Sequence, residues 1–298
     1  MKNYSIAIFG SSLREDFDKY SDRDLLVVAS DFETLEKLKT VYSKDDWSIS
    51  YYTYSKLKYI SDNGSLFIKH LQNESKIIID NQNRLHNILN EFNPKNNYNE
   101  DIQDCENYFD ILKVVPKTNL GLAWFCDSLY VGLRNYLVFK NAENGIFEFS
   151  FMSLLNRLKN QGIIKQPDVQ LLKELRIVKR NYREDIFDEL PSLNFVQKII
   201  QIAKTIGILK TVRIVDSLTF QNIIDKSILR KEFNPYQRLR LVEAFYCSQD
   251  LNIPELKKII SNPQFYSSKM KDNDYTMNLL SKIKKHHTTT CLKLRSDY

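Results

Sequence analysis

The stretch of sequence that decides the fold covers residues 8–28 and reads IFGSSLREDFDKYSDRDLLVV. An apolar run at Tyr4–Phe9 predicts a strand, and this strand leads into the dipeptide Gly10-Ser11. Ten residues separate that dipeptide from an Asp-Arg-Asp tripeptide, which opens a second apolar run and predicts another strand at Asp24–Ala29. The first part of the chain is therefore expected to form a small α/β unit built on these two strands.

The residues of this stretch suit the binding of phosphate and metal. A glycine after a strand lets the backbone approach a phosphate closely, and the hydroxyl and amide of Ser11 can donate to phosphate oxygens. Asp22 and Asp24 are two positions apart, so in extended backbone their carboxylates point to the same face. Two such carboxylates, together with substrate phosphates, are a usual set of ligands for Mg²⁺. The alternative interpretation is a Gly-Ser turn followed by two solvated acids.

The stretch resembles the signature of the DNA-polymerase-β-type nucleotidyltransferase superfamily, in which Gly-Ser is followed after a short spacer by Asp-x-Asp. The resemblance covers residues 1–95. It implies an enzyme that transfers a nucleotidyl group from a nucleoside triphosphate and releases pyrophosphate. It also implies that Asp22 and Asp24 are catalytic and bind Mg²⁺ or Mn²⁺, and that Gly10 and Ser11 bind the nucleotide.

A second segment, 64–74 (GSLFIKHLQNE), is similar to a segment of bacterial members whose C-terminal half is helical. A helix is predicted there. We interpret Leu66, Phe67 and Leu71 as core residues, and His70 as a packing residue and not a catalytic one.

The sequence departs from the superfamily pattern at one point. Members usually carry a third carboxylate on the following strand, where it helps to deprotonate the acceptor. The matching strand is predicted at Trp47–Tyr54, and its positions on the relevant face include Ser48 and Ser50. Asp45 and Asp46 stand just before it. Either the third acid is displaced or absent, or the protein is a degenerate enzyme; the intact aspartate pair favours an active one.

The domain organisation follows from the predicted elements. Besides the two strands at Tyr4–Phe9 and Asp24–Ala29, the elements predicted before residue 95 are a helix at Phe32–Tyr42, a strand at Trp47–Tyr54, a helix at Gly64–Asn73, a strand at Lys76–Asp80 and a helix at Gln82–Glu91. After a polar boundary at Asn93–Asn99, no strand is predicted, and helices are predicted at Glu100–Val114, Leu120–Lys140, Phe151–Gln161, Val169–Arg183, Phe195–Leu209, Val212–Glu232, Tyr236–Gln249 and Ile253–Ile260. We expect an α+β fold with a small mixed-sheet nucleotidyltransferase domain (1–95), an all-α helical domain (96–285) and a C-terminal tail (286–298).

Composition excludes several classes of protein. Of 298 residues, 43% are hydrophobic and only 7 are Gly and 7 Pro, which excludes disordered and collagen-like chains. The 4 cysteines form no CxxC pair, which favours reduced thiols and a cytoplasmic location. No signal-peptide layout and no apolar run of membrane-spanning length occur, so no direct membrane insertion is expected. The net charge of +6 permits a polyanionic partner without requiring one.

A group of basic residues lies at helical spacing in the second part of the chain. Arg176, Lys179, Arg180 and Arg183 fall at i, i+3, i+4 and i+7, on one face of a predicted helix. They form either a cationic stripe for a triphosphate or nucleic-acid backbone, or a solvated face. On the first interpretation Arg176, Lys179 and Arg183 are nucleotide-binding.

The last residue of the sequence is a tyrosine, Tyr298. A phenol has a reference pKa of about 10, so it is a more acidic acceptor than a sugar hydroxyl and needs less help from a base. With this residue the chain resembles a narrower group, the Hailong-type antiphage nucleotidyltransferases. That resemblance implies template-independent synthesis of short single-stranded DNA oligomers from dATP, self-primed by Tyr298 as a catalytic residue. It also implies a membrane effector that acts through the product, in antiphage defence.

Two other functions fit the sequence. One keeps the chemistry and changes the acceptor to a small molecule such as an aminoglycoside, a tRNA end or a protein. The other is a degenerate, non-catalytic domain that acts as an antitoxin or scaffold, which the serines at positions 48 and 50 suggest.

Overall fold

The computed structural model describes residues 3–15, 17–18, 21–42, 47–184, 186, 189–249, 258, 260 and 266–296. The chain divides into two compact units. Unit 1 comprises Met1–Glu100 and Val138–Leu154, and unit 2 comprises Asp101–Leu137 and Leu155–Tyr298. The predicted fold class is confirmed, because a small mixed sheet is followed by a helical region. The predicted domain limits at residues 95 and 285 stay predictions.

Unit 1 contains a mixed sheet of four strands. These are β1 (Tyr4–Phe9), β2 (Asp24–Ala29), β3 (Ser48–Thr53) and β4 (Ser75–Asp80), in the order β3-β2-β1-β4. β1 is antiparallel to both β2 and β4, whereas β2 and β3 are parallel. The limits predicted for β1 and β2 are confirmed. This arrangement places the end of β1 beside the start of β2, so the Gly-Ser turn and the aspartates meet at one edge of the sheet.

Helices pack on both faces of this sheet. They are α1 (Phe32–Tyr42), α2 (Tyr54–Asp62), α3 (Leu66–Glu74) and α4 (Arg84–Asn90), with 3₁₀ turns at Gly10–Leu13 and Asn81–Asn83. Leu26 and Val28 of β2 point toward the cluster that includes α2, α3 and α4, and Val27 points toward the cluster that includes α1. Alternate strand residues therefore serve two cores.

One helix of unit 1 was not predicted from the sequence. α2 begins directly where β3 ends, and the Thr53 hydroxyl caps it by accepting from the Lys56 N–H at 3.2 Å. The helix buries Tyr54, Leu57 and Ser61. The run of aromatic residues before Tyr54 is typical of a strand, and it concealed the helical spacing that follows.

The remaining elements are mostly helical. In order they are α5 (Asn99–Tyr108), a 3₁₀ turn (Phe109–Lys113), β5 (Val114–Pro116), α6 (Asn119–Glu143), α7 (Phe151–Asn160), α8 (Gln166–Arg183), α9 (Leu193–Ile206), β6 (Arg213–Val215), α10 (Ser217–Ser227), α11 (Pro235–Cys247), a 3₁₀ turn (Lys269–Lys271) and α12 (Asn273–Ser296). The helix predicted at Ile253–Ile260 lies largely outside the described residues. No helix in the described part of the chain is long and apolar enough to cross a membrane.

Two short strands correct the expectation of no strand after residue 95. β5 and β6 pair in parallel, with Val115 opposite Ile214. The single helix predicted at Val212–Glu232 is wrong for the same reason, since β6 occupies its start. Asp216 then caps α10 by accepting from the Thr219 N–H at 2.9 Å, which fixes the helix start at Ser217.

Candidate functional site

The turn after β1 brings a backbone atom close to two functional side chains. Gly10 has a φ of +74°, in the left-handed region that favours glycine. A Cβ at this position would lie 3.1 Å from Asp24 Oδ2, 3.6 Å from His70 Cε1 and 3.7 Å from His70 Nε2. The backbone conformation therefore favours glycine, and a side chain at this position would displace the Asp24 carboxylate. The structure brings the predicted residues Gly10 and Asp24 together, and it adds His70.

Ser11 connects this turn to the other aspartate. Its hydroxyl donates to the backbone carbonyl of Asp22 at 2.8 Å, and its own carbonyl accepts from the Arg14 N–H at 3.1 Å. β2 begins at Asp24, so exposed Asp22 lies on the connection before the strand and not within it. Strand alternation therefore does not determine the position of Asp22. The hydrogen bond from Ser11 holds the backbone of Asp22 beside the turn instead. Phosphate binding by Ser11 stays a prediction.

The neighbouring strand carries no acid at the expected positions. Asp24 lies opposite Ser48 and Leu26 opposite Ser50 in the parallel register of β2 and β3. Paired residues share a face of the sheet, so Ser48 is next to Asp24 on the side of the turn. Asp45 and Asp46 lie outside the described residues. Within the ranges that the structure describes, no three His, Cys, Asp or Glu side chains form a metal-binding group.

The chemistry of the two aspartates nevertheless suits a divalent cation whose remaining ligands come from a substrate. Carboxylate oxygens are the ligands that Mg²⁺ and Mn²⁺ prefer, and Mg²⁺ is commonly held by one or two carboxylates plus substrate phosphates. Gly10 leaves open the space in front of Asp24 Oδ2 that a Cβ would fill. Asp22 and Asp24 are the residues that would hold the cation. It would supply Lewis-acid stabilisation of phosphate charge.

A bridge of three side chains beside the turn was missed by the sequence analysis. Glu74 Oε2 accepts from Arg14 Nη1 at 2.6 Å and lies 3.2 Å from His70 Nε2. His70 also packs as expected, stacked on Phe149 at 4.6 Å between ring centroids and edge-on to Phe9 at 5.7 Å. The signal in the sequence was the i, i+4 spacing of His70 and Glu74 on a helix.

The charge of Glu74 is set by two opposing effects. Burial raises the pKa of its carboxyl, whereas hydrogen bonds from His70 and Arg14 lower it. The bonds prevail, and the pKa of Glu74 lies below its ordinary value. Glu74 is therefore an anion at neutral pH, and the N–H groups of Arg14 and His70 donate to it.

The basic residues of α8 belong to unit 2. Arg183 donates to both oxygens of Asp127, from Nε at 3.0 Å and Nη2 at 2.6 Å, and Arg180 Nε donates to Glu184 at 2.9 Å. Lys179 Nζ lies 5.8 Å from the centroid of the Tyr130 ring. Nucleotide binding by Arg176, Lys179 and Arg183 stays a prediction. Tyr298 lies outside the described residues.

Comparison with known proteins agrees with the geometry of unit 1. Residues 1–83 match a family model described as a nucleotidyltransferase domain. This range contains the turn, both aspartates and the Glu74 bridge. No curated protein matches the chain. Over residues 1–83 the chain is therefore similar to nucleotidyltransferase domains of the polymerase-β-like superfamily, and this similarity supports a general function in nucleotidyl transfer.

Proposed function

We propose that the protein is a metal-dependent nucleotidyltransferase. An acceptor hydroxyl attacks the α-phosphorus of a nucleoside triphosphate, the bond to the β-phosphate oxygen breaks, and pyrophosphate leaves with that electron pair. The observation that carries the proposal is the contact geometry of Gly10, where backbone without a side chain faces the carboxylate of Asp24. That arrangement suits a triphosphate lying along the turn, beside the aspartates that would hold a cation to stabilise phosphate charge.

Each residue of the turn has a role in this proposal. Gly10 and Ser11 bind the triphosphate, because a turn without a Cβ lets phosphate oxygens approach backbone N–H groups. Asp22 and Asp24 would hold Mg²⁺ or Mn²⁺, which would supply Lewis-acid stabilisation of phosphate charge. The proton of the acceptor hydroxyl leaves to a base or to solvent.

The register of β3 bears on the choice of acceptor. With Ser48 opposite Asp24, the described part of β3 places no carboxylate at the position where the superfamily usually has an acid to deprotonate the acceptor. A more acidic hydroxyl relieves that need, and a phenol, with a pKa of about 10, is more acidic than a sugar hydroxyl. This favours a tyrosine acceptor. The finer proposal is therefore template-independent, Tyr298-primed synthesis of short single-stranded DNA oligomers from dATP, serving antiphage defence through a membrane effector.

The same serine keeps two alternatives open. Transfer to a small molecule, a tRNA or a protein uses the same aspartates with another acceptor. A non-catalytic domain keeps the turn but has lost the means to activate any acceptor. Release of pyrophosphate separates the last alternative from the other two.

The experiment uses the full chain with each ribonucleoside and deoxyribonucleoside triphosphate and Mg²⁺ or Mn²⁺, and it measures pyrophosphate release and intact mass. Asp24→Asn should reduce the rate about 100- to 1,000-fold, the range seen when one electrostatic group is removed from an active site. Asp62→Asn is the matched control, since Asp62 is an exposed acid of unit 1 paired with Lys58. If the wild type releases no pyrophosphate with any nucleotide, the proposed activity is excluded and the non-catalytic alternative is favoured.

The acceptor is tested separately. Without added primer, the wild type with dATP should gain nucleotide mass on the peptide that contains Tyr298, and Tyr298→Phe should not. Full oligomer synthesis by Tyr298→Phe would exclude self-priming and favour a separate acceptor.

A further inference from the structure

The Glu74 bridge connects two elements that border the Gly10 turn. Arg14 ends the 3₁₀ turn Gly10–Leu13, and its N–H donates to the carbonyl of Ser11. Its guanidinium reaches Glu74, the last residue of α3, and His70 on the same helix reaches the same carboxylate oxygen. One oxygen therefore fixes the far end of the turn and the ring that lies against Gly10.

The environment of the bridge favours a fixed geometry. The side chains of Arg14, His70 and Glu74 are 24%, 13% and 17% exposed. Partial burial strengthens charge-assisted hydrogen bonds relative to those at an open surface. His70 also contacts the rings of Phe149 and Phe9. Neither partner of Glu74 can rotate away without losing a contact with its neighbours.

A metal-binding role for this group does not fit. Among the described residues, His70 and the carboxylates of Asp22, Asp24 and Glu74 do not form a cluster of three ligands. The ring nitrogen Nε2 of His70 instead lies at hydrogen-bond distance from Glu74. What the bridge does is connect Arg14, at the end of the turn, to α3.

We propose that Glu74 is a positioning residue of the nucleotidyl-transfer site, which acts by holding Arg14 and His70 against the Gly10 turn. The inference rests on the proposed function, because it treats the turn as the part that binds a triphosphate. A turn already held in its binding conformation does not lose further conformational freedom when the ligand binds. Without the bridge, the nucleotide itself must order the segment, and its affinity falls.

The test compares Glu74→Gln with Glu33→Gln. Both remove an acid that is paired with a basic side chain in unit 1, but Glu33 lies on α1 and pairs with Lys37. We expect Glu74→Gln to raise the KM for the nucleotide about 10- to 100-fold, with a smaller change in kcat. An effect of this size is typical when a residue that orients metal ligands, without itself binding the metal, is changed. Glu33→Gln should leave both constants unchanged.

A second variant breaks the bridge from its other end. Arg14→Gln should raise the KM by a similar factor, and the double variant Arg14→Gln/Glu74→Gln should be little worse than either single one, because all three remove the same contact. This variant also keeps the test decisive if Glu74→Gln does not fold. His70→Gln should weaken nucleotide binding as well, with exposed His86→Gln as its control.

The outcome that overturns the inference is a lower Tm with an unchanged KM in Glu74→Gln and Arg14→Gln, since that is what a merely structural bridge produces. Calorimetric binding of inorganic tripolyphosphate separates this failure from a failure of the proposed function. One result would be that Glu74→Gln binds tripolyphosphate at least 10-fold more weakly than the wild type, while neither protein transfers a nucleotide. In that case the positioning role stands and the proposed function fails. If instead the wild type transfers a nucleotide and Glu74→Gln binds tripolyphosphate as tightly as the wild type does, the proposed function stands and the positioning role fails.

Discussion

The two units each contain a cluster of charged side chains, and the clusters differ in their exposure to water. In unit 2, Asp127 accepts from Arg183 and from Arg240, and Arg240 also donates to Glu243 at 2.6 Å. The side chains of Asp127, Arg240 and Glu243 are 0% exposed. In unit 1, Asp22 is exposed and Asp24 is half-buried. Two acids matched by two arginines make the first cluster part of the core, whereas the two aspartates of unit 1 are in contact with water.

The cluster of unit 2 joins three helices. Asp127 comes from α6, Arg183 from α8, and Arg240 and Glu243 from α11, and the Tyr182 hydroxyl donates to Glu243 at 2.7 Å. Burial raises the pKa of Asp127, but the charges of Arg183 and Arg240 outweigh it, and the net pKa lies below the ordinary value. Charge in unit 2 therefore supports the fold, whereas the proposed function gives Asp22 and Asp24 of unit 1 a role in chemistry. Variants in the two clusters should consequently affect different measurements.

The largest effect on stability is expected at Arg240. Arg240→Met should lower the free energy of unfolding by about 3–5 kcal/mol, because it leaves Asp127 and Glu243 buried with one cation fewer. Urea unfolding of the variant and of Arg213→Met, which removes an exposed arginine of the same unit, measures the difference. A loss similar to that of Arg213→Met would show that the buried network is not needed for the fold.

The next effect is expected at Gly10, and it should appear in activity. Gly10→Ala would place a Cβ 3.1 Å from Asp24 Oδ2, and a small displacement of that carboxylate should reduce the transfer rate about 100-fold. Gly145→Ala is the matched control. Its φ of +73° imposes similar backbone strain, but a Cβ there would have no atom within 4 Å.

Both alanine variants should lose about 1–2 kcal/mol of stability, because both force a side chain into the left-handed region. Thermal unfolding of both proteins measures the effect of backbone strain. Pyrophosphate release by both proteins measures the effect of the contact with Asp24. Equal activity in the two variants would mean that the space in front of Asp24 does not matter.

Acid should weaken unit 2 through Asp127. Its carboxyl has a folded-state pKa below the value of 3.8 expected for an unfolded chain, so the paired anion stabilises the fold above pH 3.8. That stabilisation is lost as the pH falls from 3.8 through the folded-state pKa, because the unfolded state then binds the proton first. The free energy of unfolding, measured by urea at several pH values below 5, should fall less steeply in Asp127→Asn than in the wild type. Parallel slopes in the two proteins would contradict the assignment.

The sequence predicted local features of the site better than contacts between distant residues. Strands β1 and β2, and the meeting of Gly10 with Asp24, follow from a stretch of the chain in which strand, turn and acids are consecutive. The Glu74 bridge could not be predicted in this way, because Arg14 is 60 residues from Glu74. Helical spacing put His70 and Glu74 on one face, but it did not show what lay opposite them.

The same limit applies in unit 2. Helical periodicity placed Arg183 on the face of α8 that carries Arg176 and Lys179, and the structure confirms the helix. Its bond to Asp127, 56 residues away, depends on how α6 and α8 pack, and no local pattern carries that information. The start of α10 was missed because β6 forms only through its partner β5, whose residues lie about a hundred positions earlier in the chain.

The smallest effect is expected at the ion pair between Arg180 of α8 and Glu184, the residue that follows the helix. Arg180 Nε donates to Glu184 at 2.9 Å, but the two side chains are 37% and 49% exposed. Water screens such a pair and holding both side chains costs entropy, so Glu184→Gln should change the free energy of unfolding by less than about 0.5 kcal/mol. Asp127→Asn, measured under the same urea conditions, is the comparison. Its partner Arg183 also lies on α8, but Asp127 is buried. A large loss in both variants would show that charge pairing along α8 matters irrespective of burial, and the contrast between the two clusters would then need another cause than their access to water.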